Sequence, residues 1–121
     1  MTGPTAPLEL GVFHSLFVAL TEEMGSALQR TALSPNIVER RDHSCALYDR
    51  HGRTIAMGDH MPVHLGSMAL SVRAVREAMA LGRGDVAVLN DPAAGGTHLP
   101  DLTLVQAGYL DDDPEPVYYL A

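Results

Sequence analysis

From Leu8 onward, apolar residues recur at three- and four-residue steps: Val12, Phe13, Leu16, Phe17, Leu20, Met24, Ala27 and Leu28. That spacing predicts an amphipathic helix buried along one face. Whatever else the chain folds into must supply a surface for that stripe. Glu9, Glu22, Glu23 and Arg30 fall on the opposite, solvated side. The helix is expected to stop near Leu33, because Pro35 disfavours helical geometry at Ser34.

The remaining segments are shorter. Ser44–Tyr48 and Arg53–Met57 are apolar runs around Asp49-Arg50-His51-Gly52, which predicts a β-hairpin. A second amphipathic helix is expected over Ser67–Leu81. Met68, Val72, Val75 and Met79 form its stripe, Ser67 is placed to cap its first amides, and Gly82 is placed to close it in the left-handed region. The wholly apolar run Val86–Leu89 predicts a buried strand, and Asn90–Pro100 a turn-rich loop. Leu102–Leu110 and Val117–Ala121 predict two further strands around the acidic turn at Asp111–Pro114. The chain stops inside an apolar strand former, an ending expected of a truncated piece with an unpaired edge. The fold class is α/β or α+β, with two amphipathic helices packed on short strands.

Composition removes several function classes. With 121 residues and 46% apolar content the chain is one domain with an aliphatic core. A net charge of −7 argues against a nucleic-acid footprint, which needs a clustered basic surface. Arg40-Arg41, flanked by Glu39 and Asp42, is the one tight basic group. The single Cys45 excludes an internal disulfide, and its place in an apolar run with Ala46 and Leu47, with nothing nearby to lower its pKa, suits a buried, inert thiol. The amino-terminal segment has neither the basic start of a signal peptide nor the length of a membrane span, so a cytoplasmic location is expected.

Three clusters could carry chemistry. In Asn90–Asp101, His98 and Asp101 stand where a glycine-bearing loop enters a strand; imidazole and carboxylate donors there suit Zn²⁺ or Mn²⁺. Spacing alone favours a plainer role, a loop histidine bonded to a nearby Asp. His60 and His64 flank Pro62, which argues for a loop and against one helical face. His64, just before the predicted second helix, could meet a substrate near the helix amides; the plainer reading is two loop histidines. Asp42 precedes a strand, a common place for a functional carboxylate, or else pairs with a neighbouring Arg. No P-loop, nucleophile elbow or paired-cysteine zinc motif is present.

Taken in order, several stretches resemble the start of the hydantoinase B/oxoprolinase family. They are Glu23-Met24-Gly25, Arg30-Thr31-Ala32 with Ser34-Pro35-Asn36-Ile37, Glu39-Arg40-Arg41-Asp42 with Ser44-Cys45-Ala46-Leu47, and His60 with Pro62–Met68. Asn90-Asp91-Pro92 and Gly95–Asp101 complete the series. The resemblance implies that residues 1–121 are the N-terminal part of a larger hydantoinase B-type subunit. It also implies a metal-dependent hydrolase that opens cyclic amides such as hydantoins, 5-oxoproline or related lactams. A hydantoinase A-type partner would use ATP, making the enzyme a hetero-oligomer.

By the same resemblance Asp42, His98 and Asp101 are metal ligands for Zn²⁺ or Mn²⁺, and His60 and His64 serve catalysis or stand behind the ligands. The family's further histidine ligand would lie beyond Ala121, so the chain alone is expected to bind metal weakly and to turn nothing over. Two other functions stay open at this point: a ketone carboxylase subunit, and a non-catalytic assembly module.

Overall fold

The computed structural model describes residues 6–58, 64–95 and 100–121. Helix α1 runs Pro7–Thr31. Pro7 sits in its first turn, where a missing amide costs nothing, and Glu9 and Arg30 complement the helix dipole at the two ends. It ends at Ala32, whose extended backbone leads to a short second helix, α2, Pro35–Val38. That one-turn helix is not expected from the sequence; Pro35, instead of only ending α1, opens α2 at the position where proline is tolerated.

Five short strands follow: β1 Ala46–Asp49, β2 Thr54–Met57, β3 Val86–Leu89, β4 Thr103–Gly108 and β5 Tyr118–Leu120. They form one antiparallel sheet in the order β2-β1-β5-β4-β3. Helix α3, Leu65–Ala78, lies between β2 and β3 in sequence. The expected hairpin is present. Asp49 Oδ1 accepts from the amides of His51 and Arg53, and Gly52 takes a left-handed φ of 81° to close the loop.

Register assigns the faces. Pairing sets Leu47 opposite Leu120, Tyr48 opposite Tyr119, Ala107 opposite Tyr119 and Ala87 opposite Val105. One face therefore carries Tyr48, Tyr119, Ala107, Val105 and Ala87, all buried with Met68, Val72 and Val75 of α3 in the main core. The other carries Leu47, Leu120, Gln106, Val86, Leu104 and Val88. The C-terminal half of α1 packs on the β1–β2 side of the sheet, and the β3–β4 part of this second face stays open.

Four expectations are corrected. The apolar stripe of α1 is not buried: within α1 only Thr21 and Gly25 are, while Leu8, Val12, Phe13, Leu16 and Leu20 are exposed. At 1.5 Å per residue its 25 residues span about 38 Å, whereas the six-residue strand β4 spans about 20 Å. The helix overhangs the sheet. Among the described residues the run Val86–Leu89 is an edge strand paired with β4 alone, and its alternate residues Val86 and Val88 are exposed. The terminal strand β5 is central, hydrogen-bonded to β1 on one side and β4 on the other, and the sheet's edges are β2 and β3. Finally, α3 starts two residues before Ser67 and stops at Ala78. Its N-cap is His64, Ser67 Oγ donates to the His64 carbonyl, and the extended Met79 ends it ahead of Gly82.

Candidate functional site

Sheet topology gathers the candidate residues. Strands β1 and β4 are both antiparallel to β5, so they run in the same direction and their N-terminal ends share one end of the sheet. The C-terminal ends of β2 and β3, each antiparallel to its neighbour, reach that same end. Asp42 and Ser44 before β1, His64 after β2 and Asp101 before β4 are thereby brought to one rim. They line a cleft of about 790 Å³ with His43 and Cys45. Met24 and Ala27 of α1 with Ile37 of α2 form one wall, and Val86, Leu104, Gln106 and Leu120 of the open sheet face form another.

Within the cleft the polar groups are ordered. Ser44 Oγ lies 2.8 Å from His64 Nδ1, and His64 Nε2 lies 3.7 Å from Asp101 Oδ2. His43 is buried, Ser44 and His64 are half-buried, and Asp42 is exposed at the mouth. Burial pushes the Cys45 thiol above its usual range, and the nearby Glu22 carboxylate acts in the same direction. A thiol so placed stays protonated near neutrality, as expected of an inert core cysteine.

The backbone nearby is held firmly. Asp91 Oδ1 accepts from the amide of Ala93, starting a short 3₁₀ turn at Pro92–Ala94. Gly95 then takes φ 106°, and its carbonyl accepts from the buried Ser71 hydroxyl of α3 at 2.7 Å. This ties the loop expected to carry a metal ligand to the helix behind the sheet.

Carboxylate oxygens and neutral imidazole nitrogens are the donors a catalytic Zn²⁺ or Mn²⁺ takes, and Asp42 and Asp101 line one cleft together with two histidines. The donor types fit. Among the described residues, no group of three or more His, Cys, Asp or Glu side chains is close enough to hold a metal. His98, expected as a ligand, and His60, expected near the substrate, lie outside the described residues. Ser44 stands in the sequence analysis only as part of a matching stretch, with no role assigned; the folded contact with His64 is what singles it out.

The match to known proteins covers the cleft and both of its walls. The family model described as hydantoinase B/oxoprolinase matches residues 6–121. A 5-oxoprolinase of Pestalotiopsis fici is 47% identical over 88% of the chain, and 5-oxoprolinase 1 of Arabidopsis thaliana is 42% identical over 94%. The caprolactamase subunit beta of Pseudomonas jessenii is 30% identical over 93% of the chain. These matches span 8%, 9% and 18% of the respective relatives, so the chain corresponds to a small part of each. With nearly its whole length matched, including the segments that carry Asp42, Ser44, His64 and Asp101, the chain belongs to the hydantoinase B/oxoprolinase family.

Proposed function

We propose that this cleft is part of a metal-dependent centre that opens cyclic amides: hydantoins, 5-oxoproline or related lactams. The observation that carries the reading is that Asp42, His64 and Asp101 line one cleft, in a chain whose relatives include proteins named 5-oxoprolinase and a caprolactamase subunit beta. Those names support amide hydrolysis over ketone carboxylation. Asp42, His98 and Asp101 would hold a divalent cation, Zn²⁺ or Mn²⁺, whose chemistry is that of a Lewis acid polarising the ring carbonyl.

In the net reaction water adds to that carbonyl, the ring C–N bond breaks, and the nitrogen leaves with a proton. His64, half-buried and facing the cleft, and His60 would orient the substrate or carry that proton. The apolar wall from Met24, Ala27, Leu104 and Leu120 suits the hydrocarbon edge of a lactam. ATP would be used by a hydantoinase A-type partner, and a cytoplasmic location suits that partner. No helix among the described residues is long and apolar enough to cross a membrane.

The test is metal content by mass spectrometry, joined to hydrolysis assays with an A-type partner and ATP on 5-oxoproline, a hydantoin and caprolactam. Metal uptake that falls in His98→Ala and Asp101→Ala, with turnover of one of these rings by the assembled enzyme, is the expected result. Uptake indifferent to all three proposed ligands would sink the metal centre. A second reading, a non-catalytic assembly module, draws on the exposed stripe of α1; assembly with the partner without metal or turnover would favour it.

A further inference from the structure

Ser44, His64 and Asp101 come from three separate segments yet stand in a row. Ser44 Oγ is 2.8 Å from His64 Nδ1, and His64 Nε2 is 3.7 Å from Asp101 Oδ2. The imidazole side chain is 16% exposed and the carboxylate 29%, so solvent screens the contact only partly. A neutral imidazole carries one N–H and one lone pair, and its neighbours decide which nitrogen has which. A lone pair on Nε2 would face a carboxylate oxygen and be repelled. An N–H at Nε2 is attracted instead.

That choice puts the proton on Nε2 and leaves Nδ1 as an acceptor, so the 2.8 Å contact is a hydrogen bond donated by the Ser44 hydroxyl. At 3.7 Å the contact with Asp101 is longer than a hydrogen bond, and a charge–dipole attraction acts across it.

We propose that Ser44 is a positioning residue: it fixes the tautomer of His64, and through Nε2–H it orients the carboxylate of Asp101 for metal binding. The proposal rests on the reading of Asp101 as a metal ligand. Groups that hold a ligand from behind set its orientation and basicity, and their loss weakens metal affinity. Backbone geometry supports the relay. His64 is the N-cap of α3, and the Gly58 amide bonds to the Cys45 carbonyl at 2.8 Å, so the end of β2 is fixed beside Ser44. The row also has the residue types of a serine-nucleophile triad, in which Ser44 would attack the ring carbonyl itself. The positioning role and the nucleophile role predict different outcomes for the metal.

The experiment uses the full chain labelled with ¹⁵N-histidine, at one fixed pH. Long-range proton–nitrogen spectra identify the His64 tautomer, and the free-ion EPR signal of Mn²⁺ reports its affinity. Wild type is expected to show the Nε2–H form. Ser44→Ala is expected to lose that single tautomer and to weaken Mn²⁺ binding about 10-fold or more, while Ser44→Thr, which keeps the hydroxyl, retains both.

An Nδ1–H tautomer in wild type overturns the proposal. So does Mn²⁺ affinity unchanged by Ser44→Ala, the result a nucleophile would give. Asp101→Asn separates the two levels. If it removes Mn²⁺ binding while Ser44→Ala does not, the positioning role alone falls. If Asp101→Asn leaves binding intact, the metal reading falls with it.

Discussion

Asp49 shows how much one side chain does in a chain with so small a core. Burial alone would push its carboxyl up, but the backbone amide of Arg53, the Arg53 guanidinium at 2.7 Å and the amide of His51 outweigh that and hold it below the usual range. The Arg53 side chain is 70% exposed, so the ion pair itself adds little and the amide bonds carry the effect. Because the folded-state pKa is depressed, the stability Asp49 contributes is present above the unfolded carboxyl range and is lost as pH falls through the folded value. Asp49→Ala is expected to cost about 1–2 kcal/mol at neutral pH. Asp49→Asn, which keeps an acceptor for the amides, is expected to cost less and to flatten the acid limb. Urea unfolding of each variant across acid and neutral pH measures both; an acid limb unchanged in Asp49→Asn would contradict this account.

At the scale of elements, the junction between α3 and the 90–95 loop decides whether the rim keeps its shape. A Cβ on Gly95 would sit 3.1 Å from the Leu70 carbonyl oxygen and 3.1 Å from Ala74 Cβ, at a φ of 106° that other residues rarely adopt. Gly95→Ala is therefore expected to lower stability by about 1–3 kcal/mol and to detach the loop from the Ser71 hydroxyl. Urea unfolding reads the first, and the exchange rate of the Gly95-neighbouring amides reads the second. Stability equal to wild type would mean the loop shifts without penalty.

Such junctions were the part the sequence could not show. The β1–β2 hairpin was legible because Asp49 and Gly52 encode their own turn. Asp42 and Asp101 were singled out through motif order, and the fold sets both in one cleft. The place of β5 at the sheet centre was not, since periodicity tells which residues face inward and not which strand lies alongside. Val86–Leu89 misled for a related reason: an all-apolar run marks burial on both faces only if something covers both. Ser44–His64–Asp101 depends on three strand ends meeting, a property of topology with no local signature.

For the molecule as a whole, the uncovered apolar surface is the dominant fact. Leu8, Leu10, Val12, Phe13, Leu16 and Leu20 on α1, and Val86, Val88 and Leu104 on the sheet, are all more than 40% exposed. Apolar surface of this kind drives association, at roughly 25 cal/mol per Å² removed from water. A net charge of −7 on each copy opposes it. The two terms respond differently to salt. Raising ionic strength from about 0.01 M to about 1 M shortens the screening length from about 30 Å to about 3 Å, which removes most of the repulsion and leaves the apolar drive intact. Sedimentation velocity on the chain is therefore expected to show self-association that strengthens as salt rises. Leu16→Glu on α1 and Val88→Glu on β3 add charge at exposed positions outside the core cluster, so each is expected to shift the chain toward monomer without lowering its unfolding midpoint. Association that weakened with salt would make charge pairs, not the α1 stripe and the open sheet face, the cause. A response to Leu16→Glu alone would assign it to the helix overhang, and a response to Val88→Glu alone to the β3 edge.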